Sequence, residues 1–157
     1  MKFTVPVNEP YFFGNEKKYL LKCIRDGFIS SVGQYVKEFE RKFAKRLNRK
    51  FAISVSNGTA ALQLAFESLN IKKEEEVILP SFTIISCILP IIRCGAIPIL
   101  IDSDPITWNM DVKKIEDKIT SKTRAIVAPH IYGLPIDMDP LLKIAKKYKL
   151  KVIEDAA

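Results

Sequence analysis

The residues Ser56-Asn57-Gly58-Thr59 separate two contrasting stretches. Before them lies a short apolar run, Phe51-Ala52-Ile53. After them Leu62, Ala65, Phe66 and Leu69 recur at i, i+3, i+4 and i+7, the spacing of an amphipathic helix. A strand over residues 51–55 is therefore expected to turn at the glycine and open a helix over 59–70. The first amides of a helix have no internal partner, and its dipole favours an anion there. Gly58 allows close backbone approach, and Thr59 adds a hydroxyl. Taken alone, the stretch also reads as an ordinary strand-to-helix turn capped by Ser or Asn.

The elements that must position this turn follow along the chain. Asn15 is expected to cap a helix carrying Leu20, Leu21 and Ile24 on its inner face and ending at Gly27. After an irregular loop over residues 28–33, Val36, Phe39, Phe43 and Leu47 mark the inner face of a second helix. Strands are expected at Val77-Ile78-Leu79, at residues 97–101, at 125–128 and at Val152-Ile153. Pro98 lacks a ladder donor and places the 97–101 strand at a sheet edge. Between them lie a helix from Phe82-Thr83 to Arg93, a short one capped by Asp111 with Val112, Ile115 and Ile119, and one opened by Asp139-Pro140 that buries Leu141, Leu142, Ala145 and Tyr148. Short continuous apolar strands alternating with helices predict an α/β fold, a mostly parallel sheet with helices on both faces.

Such sheets bind ligands beyond the carboxyl ends of their strands. Four of these ends carry polar or aromatic groups: Asn57-Gly58-Thr59, Ser81-Phe82-Thr83, His130-Ile131-Tyr132-Gly133 and Glu154-Asp155. Singly, Phe82 reads as a core aromatic, Asp155 as a cap or charged end, His130 as a buried hydrogen-bonded histidine, and Ser30 and Ser31 as loop hydroxyls. Together, an anion cradle, an aromatic plate and a carboxylate on one rim suit a flat, phosphorylated, cationic heteroaromatic ring. Pyridoxal 5′-phosphate has those properties.

Composition narrows the classes. The 157 residues are 48% hydrophobic and 27% charged, the profile of a soluble globular chain large enough to bury a core. The net charge of +7 is spread over pairs such as Lys17-Lys18, Lys72-Lys73 and Lys146-Lys147, with no dense basic run interleaved with aromatics. No nucleic-acid partner is expected. Cys23, Cys87 and Cys94 have no metal-ligand spacing, so free thiols in a reducing cytosol are expected, without a metal. The apolar window from Thr83 to Ile101 is broken by Pro90, Arg93, Gly95 and Pro98, which excludes a single membrane span. Met1-Lys2-Phe3-Thr4 leads into Pro6 without an apolar h-region, so a cytoplasmic location is expected.

From Val5 to Ala157 the chain resembles the N-terminal part of the DegT/DnrJ/EryC1/StrS sugar aminotransferases, which are fold-type I pyridoxal-phosphate enzymes. The resemblance rests on Ser56-Asn57-Gly58-Thr59-Ala60-Ala61-Leu62, Pro80-Ser81-Phe82-Thr83, His130-Ile131-Tyr132-Gly133 and Val152-Ile153-Glu154-Asp155-Ala156-Ala157, in this order and at these spacings. Within the family, Pro6-Val7-Asn8-Glu9-Pro10, Gly14-Asn15-Glu16-Lys17-Lys18-Tyr19 and Asp104-Pro105-Ile106-Thr107-Trp108-Asn109-Met110 look most like the GDP-perosamine synthase subfamily. The resemblance implies that residues 1–35 form a helix-and-loop segment and 36–157 the start of the cofactor-binding large domain. It implies that Gly58, Thr59 and Ala60 bind the cofactor phosphate, that Phe82 stacks on the pyridine ring, and that Asp155 pairs with the pyridine nitrogen. Ser30 and Ser31 would line the site of a 4-keto sugar nucleotide, with an amino acid, usually glutamate, as amino donor. The Schiff-base lysine, the small C-terminal domain and the residues crossing a homodimer interface lie downstream of Ala157 in the family, so no catalytic residue is assigned here. Two alternatives stand beside this reading: a dehydratase of the same family, and a non-catalytic remnant or binding protein.

Overall fold

The computed structural model describes Val5 and residues 9–157. The expectation for Pro6 and its neighbours falls outside the described residues. Residues 9–14 carry no regular structure, as Pro10 and Gly14 imply. The chain divides into two compact units, Met1–Ser54 and Val55–Ala157, so the expected division after residue 35 falls inside the first.

The first unit holds α1 (Glu16–Asp26) and α2 (Gln34–Arg46). Gly27 ends α1 in the left-handed region at φ 72°, and the amides of Gly27 and Phe28 close on Ile24 and Cys23 carbonyls. Asn15 occupies the N-cap position, but its side chain makes no capping bond. Leu20, Leu21 and Ile24 were expected to face inward; all three are exposed, and α1 buries no residue. On α2 only Ala44 is buried, while Phe39 and Phe43 stack on each other with centroids 5.4 Å apart and remain exposed. The helical periodicity is present, but among the described residues little of either helix's apolar stripe is covered.

The expected strand at 51–55 is absent. Phe51 and Ile53 are 74% and 69% exposed. A strand needs a neighbour to take its amides, and among the described residues none pairs with it. Ser54 instead gives both its N–H and its Oγ–H to Glu40 Oε1 on α2, each at 2.9 Å. The same two bonds hold the Glu40 carboxyl below its usual range.

The second unit is the α/β body. Its sheet comprises β1 (Glu76–Pro80), β2 (Ile97–Ile101), β3 (Thr123–Pro129) and β4 (Lys151–Asp155), all parallel, in the order β2-β1-β3-β4. Pro98 is on an edge strand, where its missing donor costs no ladder bond. Alternate residues feed two cores. Val77, Leu79, Ala125, Val127 and Ile153 pack with Leu62 and Phe66 of α3 (Gly58–Leu69) and with Ile91 of α4 (Leu89–Arg93). Ile78, Ile126 and Ala128 pack on the other face with Ile115, and with Leu141 and Ala145 of α5 (Met138–Lys147).

Three helices differ from expectation. The stretch 83–93 splits into a 3-10 turn, Ile85–Cys87, and α4, because Pro90 lacks an amide and fits only the first turn of a helix. Residues 112–119 form two 3-10 turns, Val112–Lys114 and Glu116–Lys118, which still bury Ile115. α5 opens two residues earlier than Asp139-Pro140 suggested, with Asp137 as N-cap, and leaves Leu142 and Tyr148 exposed. Among the described residues no helix is long and apolar enough to cross a membrane, and no three potential ligands group to hold a metal.

Candidate functional site

The second unit brings three of the expected elements together at the carboxyl end of its sheet. α3 opens at Gly58 with Asn57 as N-cap, whose Oδ1 accepts the Ala60 amide at 2.9 Å. That bond consumes one of the helix's free donors. Among the described residues the Gly58 and Thr59 amides have no acceptor. A Cβ placed on Gly58 would meet only Ala157 Cβ, at 3.7 Å, so internal packing does not demand a glycine there. The open space suits an anion approaching the backbone.

Ala157 lies two residues beyond Asp155, which ends β4. The Asp155 carboxylate is held at both oxygens. Oδ1 accepts the Ala157 amide at 3.1 Å, and Oδ2 accepts the Cys87 thiol at 3.3 Å. Thr83 in turn donates its hydroxyl to Cys87 Sγ at 3.3 Å. Burial is the main cause that pushes the Cys87 thiol up to about 11; the bond and charge of Asp155 add to it, and the Thr83 bond opposes it. One residue earlier, Ser86 Oγ lies 2.9 Å from Thr59 Oγ1. This bond positions the Thr59 hydroxyl; when Ser86 is the donor, both the Thr59 amide and its hydroxyl hydrogen remain for a ligand.

Phe82 follows β1 and is 40% exposed, so it is not a core aromatic. The edge-on ring of Trp108 supports it, with centroids 5.6 Å apart at 68°. Trp108 adopts the left-handed region at φ 62°, within a tight loop. Asp104 Oδ1 accepts the amides of Ile106 and Thr107 there, and these bonds hold its carboxyl below the usual range. The neighbouring Asn109 is buried, donates to Leu134 O at 2.9 Å and accepts from Ile131 N.

His130 gives its backbone amide to Asp155 O at 2.9 Å. Its ring accepts the Ile136 amide at Nδ1, so the proton sits on Nε2 and faces Glu154 Oε2 at 3.4 Å. Ser30 and Ser31 belong to the first unit, exposed on the connection between α1 and α2. Sequence reasoning missed Ser86, Cys87 and Trp108. Their partners are remote in the chain, and neither a thiol nor a lone indole carries a pattern that announces them.

The family model described as the DegT/DnrJ/EryC1/StrS aminotransferase family matches residues 12–157. The chain belongs to that family. Among its relatives is the GDP-perosamine synthase of Escherichia coli O157:H7, 46% identical over 157 residues, covering 100% of this chain and 43% of the relative. Among solved structures, the aminotransferase of Psychrobacter cryohalolentis superposes with a TM-score of 0.88 at 36% identity, over 94% of this chain and 38% of the other. The Escherichia coli GDP-4-keto-6-deoxy-D-mannose-3-dehydratase, solved with hydrated pyridoxal phosphate bound, gives 0.87 at 28% identity, over 96% and 40%. This family member therefore spans less than half the length of the relatives it matches.

Proposed function

We propose that the chain forms the N-terminal part of a pyridoxal 5′-phosphate-dependent aminotransferase. Its substrates are a 4-keto-6-deoxy sugar nucleotide and, as amino donor, glutamate. The nearness in sequence to GDP-perosamine synthase supports a GDP-linked acceptor and a place in surface polysaccharide (O-antigen) synthesis. The observation that carries the reading is the meeting of the Gly58 and Thr59 amides, without an acceptor among the described residues, with the doubly anchored Asp155 carboxylate at one end of the sheet.

When bound, pyridoxal 5′-phosphate supplies an electron sink through its protonated pyridine ring. The chain's own groups have separable tasks. The Gly58 and Thr59 amides, aided by the α3 dipole, hold the phosphate; the Ala60 amide joins them only by giving up Asn57. Phe82 offers its exposed face to the ring, braced by Trp108. Asp155 keeps a proton at the ring nitrogen, and an anion is needed there because a neutral group would let that proton leave. Ser30 and Ser31 contact the sugar nucleotide. Residues 36–157 supply the first part of the large cofactor-binding domain. None of the chain's lysines is assigned to catalysis. A cytoplasmic homodimer completes the reading.

The test uses protein expressed from the complete gene, supplied with glutamate, the cofactor and GDP-4-keto-6-deoxymannose. The expected products are an amino sugar nucleotide and 2-oxoglutarate, seen by mass spectrometry. The likeness to the dehydratase favours one second reading, and loss of water without gain of nitrogen would establish it instead. Cofactor binding without either reaction would leave a binding protein.

A further inference from the structure

Two consecutive residues of the turn Ile85–Cys87 reach opposite ends of the candidate site. Ser86 Oγ bonds Thr59 Oγ1 where α3 begins, and Cys87 Sγ bonds Asp155 Oδ2 where β4 ends. We infer that this turn is a spacer: Ser86 and Cys87 are positioning residues that set the separation between the phosphate-binding start of α3 and the Asp155 carboxylate. The inference rests on the cofactor reading above.

Rigidity is the first argument. Cys87 is wholly buried in the core that α3 and α4 build with the sheet, so the turn cannot drift without disturbing that packing. Direction is the second. The Thr83 hydroxyl donates to the sulfur, which leaves the thiol's own hydrogen for Asp155. With the thiol pushed up to about 11, that hydrogen stays in place at neutral pH. Capacity is the third. The thiol and the Ala157 amide take one lone pair on each carboxylate oxygen, and a further acceptor site remains on each for the N–H of a pyridinium. A thiol is a weak donor, so it orients the carboxylate while drawing little of its charge. A cysteine that merely filled the core would have no need of a carboxylate partner.

The test measures dissociation constants of three probes, inorganic phosphate, pyridoxal and pyridoxal phosphate, for protein expressed from the complete gene. Cys87→Ala should weaken pyridoxal and pyridoxal phosphate by about tenfold while phosphate stays within about twofold. Ser86→Ala should weaken phosphate and pyridoxal phosphate by about threefold and spare pyridoxal. Cys87→Ser, which keeps a donor, should restore most of the loss. In the cofactor-free protein, the S–H stretching band removed by Cys87→Ala should move to higher frequency in Asp155→Ala. Equal weakening of all three probes by Cys87→Ala marks a general packing loss and overturns the spacer, as does an unmoved S–H band. Wild-type protein that binds pyridoxal phosphate, with Cys87→Ala binding it equally well, overturns the spacer alone. Wild-type protein that binds no probe overturns the cofactor reading and the spacer with it.

Discussion

Asp155 and Asn57 show how differently two polar residues at one site are committed. Asp155 spends one lone pair on a thiol and one on an amide and keeps acceptor capacity to spare. Asp155→Asn keeps the shape and removes the charge, so turnover of the complete protein should fall about 100-fold or more, measured by steady-state kinetics, while far-UV circular dichroism stays unchanged. Asn57 caps α3 through Ala60 N, the amide that the family likeness would give to phosphate. Asn57→Ala should cost about 1 kcal/mol of stability in urea unfolding and, by freeing that amide, leave phosphate affinity undiminished. A loss of phosphate binding would mean that Asn57 contacts the ligand itself. At this scale the placement of Gly58 and Thr59 at the start of α3 and of Asp155 at the end of β4 was legible, because helix starts and strand ends are local patterns. The Cys87–Asp155 bond was not, since it joins residues 68 apart.

Elements impose their own tests. Gly95 follows α4 at φ 73°, and a Cβ there would meet Lys73 Cγ at 3.1 Å. Gly95→Ala should destabilise the protein by about 1–2 kcal/mol in denaturant unfolding, because an L side chain resists that backbone conformation. The start of β1 is tied to β3 by Glu75, which accepts the Lys72 amide at 2.7 Å and pairs with Arg124 at 2.7 Å. The Lys72 bond is the main cause that holds the Glu75 carboxyl below its usual range, against an opposing effect of burial. A carboxyl depressed by folding adds stability above its unfolded value, and that stability fades as pH falls through the folded value. Acid unfolding of Glu75→Gln should accordingly show a shallower pH dependence than wild type in the acidic range, read from urea midpoints. The sheet strands and α3 were legible because apolar runs and helical spacing are strong signals. The expected helix through Pro90 failed on a missing amide, and the expected strand at 51–55 failed for want of a neighbour.

Across the whole molecule, apolar exposure is the dominant feature. Leu20, Ile24, Phe39 and Phe43 in the first unit, and Ile84, Ile85 and Leu100 in the second, are exposed large side chains. Exposed large apolar side chains in such number favour association. A polypeptide of these 157 residues alone should bind a hydrophobic dye and self-associate with concentration in sedimentation velocity; a sharp, monomeric melt would count against that expectation. By itself the sequence determined the parallel α/β body, its two cores and the family, because alternation, helical period and ordered motif blocks are carried by neighbouring residues. Only the tertiary structure decided that residues 51–55 form no strand, that the first helices leave their apolar faces open, and that the turn Ile85–Cys87 joins the start of α3, through Ser86, to the carboxylate at the end of β4, through a buried thiol. Each of those outcomes depends on which distant group is present to receive a hydrogen bond or a side chain, and no local pattern records that.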